Sequence, residues 1–347
     1  MPERFVLVLA GGRGERFWPW SRPGRPKQLL PLAREGRSLL AATLERALRV
    51  VPRDHVVIMT AADLVPEVQR QCPGATVLGE PVPRNTAPAI AAACAWIAPD
   101  AAFAVMPADH AIDDAAAFAA DLERAFAAAE KERVLVTFGI RPRGAETNFG
   151  YIQRGAPLGE RLYRVAGFKE KPDRARAEAW VAAGDHLWNS GVCVWRRSVV
   201  RDALEAGRPE LARVFRDFRD SGGRTGFEDR LRQVLPGVES ISVDYAVLEH
   251  APNTVVIEAS FDWDDLGSWG AWARRQPHDA RGNVLFGEAV AIDCDRCVVV
   301  GEGGTAAAVG LRDMVVVNAN GDTLACPIDR SEQVRRVSEA VRARSRS

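Results

Sequence analysis

The chain has 347 residues, 47% hydrophobic and 27% charged, and its 46 basic residues balance 46 acidic ones. That composition excludes chain-wide disorder, and the cancelled charge leaves no broad electrostatic footprint, so no nucleic-acid partner is expected. At roughly 150 residues per domain, the length predicts two domains. Only four basic residues are lysines (Lys27, Lys131, Lys169 and Lys171) and the other 42 are arginines. A lysine kept in such a chain marks a candidate position for a compact ammonium.

In chain order, Phe5-Val-Leu-Val-Leu-Ala10 reads as a buried strand, too short for a signal-peptide core. A helix is predicted from Ser38 to about Val51, with Leu40, Leu44 and Leu48 on one face. Strands follow at His55–Thr60 and Ala75–Gly79, an Ala-rich helix at Thr86–Ile97, and a buried strand at Phe103–Met106. Asp113 or Asp114 caps a helix carrying Phe118, Leu122 and Phe126, and Val134–Ile140 closes the series. Strands alternating with helices predict an α/β fold with a mostly parallel sheet, and such sheets bind ligands beyond the carboxyl ends of their strands. The loops after Ala10 and Met106 are therefore the first suspects. The longest apolar stretch, Ala89–Ala98, is about half a membrane span, so no membrane partner is expected.

Residues 150–275 are less regular. Strands at Tyr163–Phe168 and Gly191–Trp195 and helices near Ala175–Ala183 and Val199–Phe218 suggest an insertion that supplies one wall of a cleft. From Asn283 to Cys326, short runs such as Cys297-Val-Val-Val300 and Met314-Val-Val-Val317 alternate with Gly, Asp and Asn, as in a small all-β unit. Val334, Val337 and Val341 give a terminal helix one apolar stripe. The six cysteines read as free thiols in a reducing, cytoplasmic setting; Cys294-x-x-Cys297 lacks a second pair or nearby histidines for a metal site.

Five segments carry chemistry. Leu9-Ala-Gly-Gly-Arg-Gly-Glu-Arg-Phe17, followed by Pro26-Lys-Gln-Leu-Leu-Pro31, places a Gly-rich loop after a strand, where backbone N–H groups approach phosphate. It is not a dinucleotide fingerprint, because Phe17 stands where a third small residue is needed, and no Lys-Ser or Lys-Thr makes it a P-loop. Arg13, Arg16 and Lys27 instead suit a triphosphate and a leaving pyrophosphate, unless the loop is only a turn with solvated arginines. Val105-Met-Pro-Ala-Asp109-His110 sets a carboxylate at a strand end, as a Mg²⁺ ligand or a helix cap. Phe261-Asp-Trp-Asp-Asp265-Leu-Gly-Ser-Trp269 holds three acids among aromatics, where burial demands a cation or donors. Gly167-Phe-Lys-Glu-Lys-Pro172 alternates charge, and Trp188-Asn-Ser-Gly-Val192 sets an amide before a glycine; hydroxyl and phosphate recognition competes there with a solvated strand end and a plain turn.

Together these segments resemble the signature of sugar-1-phosphate nucleotidylyltransferases. Glu80-x-x-x-Arg-Asn-Thr-Ala-Pro-Ala89, Phe149-Gly-Tyr-Ile152, Phe-Lys-Glu-Lys-Pro-Asp173, Trp-Asn-Ser-Gly, Asp244-Tyr-Ala-Val247 and Trp-Asp-Asp-Leu-Gly-Ser-Trp resemble the mannose-1-phosphate guanylyltransferase branch. The resemblance runs from about residue 5 to 270. It implies a Rossmann-like nucleotidyltransferase domain over residues 1–275 and a small left-handed β-helix-like domain with a terminal helix over 276–347. An additional phosphomannose isomerase domain, carried by some relatives, is not expected in this length. The resemblance further implies that Ala10, Gly11 and Gly12 hold the nucleotide through their backbone, that Arg13, Arg16 and Lys27 hold the triphosphate, and that Asn85 and Thr86 lie in the segment reading guanine and ribose. Asp109 and Asp265 would bind Mg²⁺, with Asp264 beside them as the competing ligand. Gly150, Glu170 and Asn189 would contact mannose, and Lys171 its phosphate.

The implied reaction transfers GMP from GTP to mannose 1-phosphate in a cytoplasmic enzyme, giving GDP-mannose and pyrophosphate. A homodimer is expected from the family. Three other readings stay open: the same chemistry with another sugar phosphate or nucleotide (glucose 1-phosphate with UTP, ATP or dTTP), a NAD-dependent oxidoreductase, and a non-catalytic sugar-nucleotide-binding subunit. Of the four lysines, Lys27 and Lys171 are expected to be irreplaceable by Arg, and Lys169 and Lys131 dispensable.

Overall fold

The computed structural model describes residues 2–12, 14–213 and 224–344. The chain forms two compact units. One comprises Met1–Gly11, Thr43–Ala108 and Ile112–Trp263, the other Gly12–Ala42, Asp109–Ala111 and Asp264–Ser347.

The first unit is built on a nine-stranded sheet. Its strands in chain order are β1 (Arg4–Ala10), β2 (Val56–Ala61), β3 (Thr76–Glu80), β4 (Ala102–Pro107), β5 (Leu135–Ile140), β6 (Tyr151–Gly159), β7 (Leu162–Lys169), β8 (His186–Arg196) and β9 (Thr254–Glu258). Their spatial order is β3-β2-β1-β4-β8-β5-β9-β7-β6. The half from β3 to β4 is parallel, as continuous apolar runs separated by helices require. Beyond it the sheet is mixed: β8 runs antiparallel to β4, β5 and β6, whereas β5 and β9 are parallel. The sequence expectation of a mostly parallel sheet thus describes the first half. β6 and β9 do not stand out in the sequence, because their short runs are interrupted by Arg, Gly and Pro or lie outside the regular alternation.

The helices follow the sequence closely where capping chemistry is present. α1 is Leu39–Ala47 and α2 is Val65–Gln71. α3 (Thr86–Trp96) is capped by Asn85, whose side chain accepts from the Thr86 N–H. Asp114, rather than Asp113, caps α4 (Ala115–Lys131) by accepting from the Ala117 N–H at 2.9 Å. α5 (Arg174–Ala183) is capped by Asp173 and ended by Gly184 in the left-handed conformation. α6 covers Arg197–Gly207 and α7 Arg224–Val234. The single helix expected over Val199–Phe218 is interrupted at Arg208 and resumes over 209–213, and its residues 214–218 lie outside the described residues. Leu7, Phe103, Trp195 and Leu231 are fully buried in this unit's core.

The second unit carries a four-stranded sheet of β10 (Val284–Ile292), β11 (Val298–Val309), β12 (Met314–Ala319) and β13 (Asp322–Pro327). β10, β11 and β12 pair in parallel without intervening helices, the arrangement of successive solenoid coils, and β13 turns back antiparallel. α8 (Trp269–Ala273) and α9 (Val334–Arg344) complete it. This unit begins in sequence well before residue 276. Phe17 and Trp20 join Trp269 and Trp272 in one buried aromatic cluster, with Trp20 stacked on Trp269 at 5.7 Å. Apolar burial therefore groups Gly12–Ala42 with the C-terminal residues.

Gly139 is the penultimate residue of β5, just past the point where the register against β8 shifts, and Asn189 is its partner. A Cβ there would stand 2.5 Å from Leu187 and 2.9 Å from Val256. Gly139→Val is expected to destabilise the protein by about 1–3 kcal/mol through overpacking, read as a lower denaturant midpoint at unchanged slope. An unchanged midpoint would show that the β5–β8 seam is not tightly packed.

Candidate active site

The phosphate loop and three of the sequence-selected charges meet within the second unit. Gly14 has φ +60, and a Cβ on it would stand 2.2 Å from the Lys27 Cβ, so the loop closes on Lys27 only with glycine at this point. Lys27 begins a short 3-10 turn, and its side chain is only 8% exposed. A buried ammonium must be paired. Its Nζ donates to Asp109 Oδ2 at 3.0 Å and also to the Asp265 backbone carbonyl. Gln28 braces the loop by donating from Nε2 to the Gly12 carbonyl at 2.9 Å. Arg16 lies alongside, its Nη1 3.3 Å from where a Cβ on Gly267 would stand, and the Asp265 carboxylate crowds the same point at 2.9 Å. Glu15 is turned away onto Arg335 and Arg342 of α9. A cavity of about 390 Å³ is lined by Arg16, Lys27, Asp109, His110, Asp265 and Gly267, among others. Arg13 lies outside the described residues.

Electrostatics separates the acids. Burial raises the Asp109 carboxyl, but Lys27 and His110 outweigh it and hold the group below the usual carboxylate range. Burial also raises Asp265, reinforced by Asp264 and Asp109 and opposed by Lys27 and Arg16. The remaining acids of the Phe261–Trp269 segment are structural. Asp262 accepts the N–H groups of Asp113 and Asp114 ahead of α4. Asp264 accepts the Leu266 N–H, and its backbone pairs with Ala111. The Asp109 carboxylate on the ammonium and the Asp265 carboxylate in the same cavity are a donor set that suits Mg²⁺, which takes one or two carboxylates and completes its shell with phosphate and water. Among the described residues no group of three or more His, Cys, Asp or Glu could hold a metal.

The first unit presents two further groups. Ala10 ends β1 and Gly11 follows it; the Ala10 carbonyl accepts from the Thr60 hydroxyl at 3.1 Å. Beside Gly11 stands Glu80, the last residue of β3, which is 5% exposed. Its Oε2 would be 3.3 Å from a Cβ at Gly11, and its Oε1 has no hydrogen-bond partner among the described residues. Burial pushes this carboxyl up to about 7. Glu80 opens one of the sequence motifs but has no role assigned by the resemblance; its signal in the sequence is an acid ending an otherwise apolar strand. The neighbouring segment is largely occupied. Arg84 donates to the Leu235 and Pro236 carbonyls, Asn85 caps α3, and the Thr86 hydroxyl accepts from the Val243 N–H.

The second group joins Gly150, Glu170, Lys171 and Asn189. The Gly150 carbonyl accepts from the Asn189 N–H at 2.8 Å. A Cβ on Gly150 would stand 2.4 Å from Glu170 Oε2, so glycine is required for that carboxylate to occupy its place. Lys171 pairs with Glu170 at 3.1 Å, 60% exposed and with φ +47. Lys169 points elsewhere, onto Glu249. Asp244 belongs here too: Asn189 Nδ2 donates to its Oδ1 at 2.8 Å.

A Gly-rich loop with an arginine and a buried lysine, and two aspartates beside them in the same unit, is the kind of arrangement that suits a phosphate-handling protein. The chain belongs to the nucleotidyl transferase family, whose model matches residues 5–281, and residues 287–340 match the MannoseP isomerase/GMP-like beta-helix domain. It is 36% identical to the xanthan biosynthesis protein XanB of Xanthomonas campestris pv. campestris (strain B100), over 100% of this chain and 75% of that protein. It is also 36% identical to a mannose-1-phosphate guanylyltransferase of Klebsiella pneumoniae, over 98% of this chain and 74% of that protein. A crystal structure described as mannose-1-phosphate geranyltransferase from Thermus thermophilus superposes with a TM-score of 0.88 at 35% identity, covering 98% of this chain and 99% of that one. No helix among the described residues is long and apolar enough to cross a membrane.

Lysine-to-arginine exchanges test the site's charge geometry. Lys27→Arg is expected to cut nucleotidyl transfer by about 100-fold or more, since a buried ammonium in a three-way contact leaves no room for a guanidinium. Lys171→Arg should cost less, and Lys169→Arg and Lys131→Arg nothing measurable. Turnover in Lys27→Arg close to wild type would remove Lys27 from the catalytic machinery.

Proposed function

We propose that the chain transfers GMP from GTP to mannose 1-phosphate, releasing pyrophosphate and GDP-mannose. The observation that carries this is the buried Lys27 ammonium, packed against the Gly-rich loop with Asp109 and Asp265 beside it, in a chain of this family. Arg16 and Lys27, with Arg13, hold the β- and γ-phosphates, and the backbone of Ala10, Gly11 and Gly12 approaches the nucleotide. Asp109 and Asp265 would hold Mg²⁺, which would neutralise phosphate charge. A phosphate oxygen of mannose 1-phosphate attacks the α-phosphorus in line, and the bond to the β-phosphate oxygen breaks. The attacking oxygen is already ionised at neutral pH, so no general base is needed. Lys27 and Arg16 then stabilise charge gathering on pyrophosphate. Gly150 and Glu170 hold the sugar beside Asn189, and Lys171 holds its phosphate. Both substrates are charged cytoplasmic metabolites, which assigns the enzyme to that compartment.

Glu80 supports guanine. An ionised carboxylate with a free oxygen accepts from guanine N1–H and its 2-amino group, whereas adenine offers no such donor pair. Glu80 is raised from 4.5 to about 7, so folding favours its neutral form. Its stability contribution falls as pH rises from about 4.5 to 7, and base recognition needs the form that folding disfavours.

A panel of GTP, ATP, UTP and dTTP against mannose and glucose 1-phosphates, with pyrophosphate release measured, tests the reading. GTP with mannose 1-phosphate should be the best pair. Glu80→Gln should narrow the preference for GTP over ATP by roughly tenfold and gain stability over wild type at pH 8 relative to pH 5. A better pair, or no release with any pair, would contradict the assignment.

A further inference from the structure

The first unit's sugar group contains more acceptor capacity than the sequence assigned to it. The side-chain oxygen of Asn189 accepts from the Gly191 N–H at 3.2 Å, and the Thr137 hydroxyl lies 3.3 Å away. The side-chain nitrogen donates to Asp244 Oδ1 at 2.8 Å. Reversing the amide would set its oxygen against a carboxylate and its NH₂ against a backbone N–H, so the orientation is fixed by its neighbours. The Asn189 oxygen, the atom that could accept from a hydroxyl, is already engaged. Asp244 differs. It opens the π-helical turn Asp244–Leu248, held in place where the preceding residue's N–H reaches Thr86. One of its oxygens takes the Asn189 bond, and among the described residues no other side chain donates to Oδ2. The Glu170 carboxylate is close enough to act on it electrostatically. Glu170 itself pairs with Lys171, and its Oε2 fills the space left by Gly150. Two carboxylates approaching one another, one balanced by a lysine and the other by an amide, suit a ligand that brings hydroxyl donors to both.

We propose that Asp244 accepts a sugar hydroxyl beside the one taken by Glu170, and that Asn189 is a positioning residue that aims Asp244. The inference rests on the sugar-phosphate assignment above and deepens it. Burial and the Glu170 charge push Asp244 up to about 6. A hydroxyl donor on each carboxylate would offset that repulsion.

The test compares mannose 1-phosphate with its 2-, 3-, 4- and 6-deoxy analogues in the wild type, Asp244→Asn and Asn189→Ala. In the wild type at least two analogues should lose roughly 10- to 100-fold in kcat/KM, the size of a hydrogen bond to a charged group. In Asp244→Asn the penalty for one of these hydroxyls should collapse to within about twofold, with the penalty for the other retained and the KM for GTP unchanged. Asn189→Ala should weaken the same hydroxyl's penalty partially. Unaltered penalties in Asp244→Asn would overturn the inference, as would their loss in Asn189→Ala alone. If Asp244→Asn lowers stability, the KM for GTP shows whether the remaining fold is intact, and the ratio between analogues is read on the folded fraction. Absence of wild-type activity with mannose 1-phosphate and GTP would instead overturn the assignment on which the inference rests.

Discussion

A lysine ammonium at 8% exposure, held between a carboxylate and a backbone carbonyl, is the constraint on which the phosphate site depends. Removing a charge from water costs several kcal/mol, and only close partners offset it. Lys27 therefore dictates much of its surroundings. Gly14 must lack a side chain, Asp109 must stay ionised, and the Asp265 carbonyl must turn inward. The aromatic cluster of Phe17, Trp20, Trp269 and Trp272 fixes the segments that bring these groups together. This group of charges thus rests on an apolar scaffold drawn from stretches far apart in the sequence.

The first unit uses carboxylates differently. Glu80, Glu170 and Asp244 lie near strand ends or a turn, each with fewer internal donors than its oxygens can accept. Burial raises Glu80 and Asp244. Such groups oppose folding and become favourable when a ligand donates to them, which is the usual relation between stability and function at a binding site. Asn85 and Thr86 show the reverse: their hydrogen bonds are taken up by a helix cap and a turn, so they shape the segment.

The parallel half of the sheet was legible because continuous apolar strands and capped helices alternate at short spacing. The mixed half was not, since strands such as β6 carry Arg, Gly and Pro and acquire their register from neighbours distant in the chain. Motif order pointed to Arg16, Lys27, Asp109 and Asp265, and among them Lys27 stood out as one of only four lysines. Sorting Asp262, Asp264 and Asp265 required the fold, because three closely spaced acids differ only in which N–H groups reach them. The positions of Glu80 and Asp244 likewise depend on burial. The unit boundary was hidden for the same reason, as Trp20 and Trp269 are 249 positions apart yet stacked.

The account treats Lys27 and Asp109 as one charge unit, and a double-mutant cycle tests that most directly. Pyrophosphate release from GTP and mannose 1-phosphate is measured for Lys27→Met, Asp109→Asn and the pair. Residues that act together lose activity non-additively. The double variant should be no more than a few-fold worse than the poorer single one. Losses that multiply, or a single variant near wild-type turnover, would contradict the account.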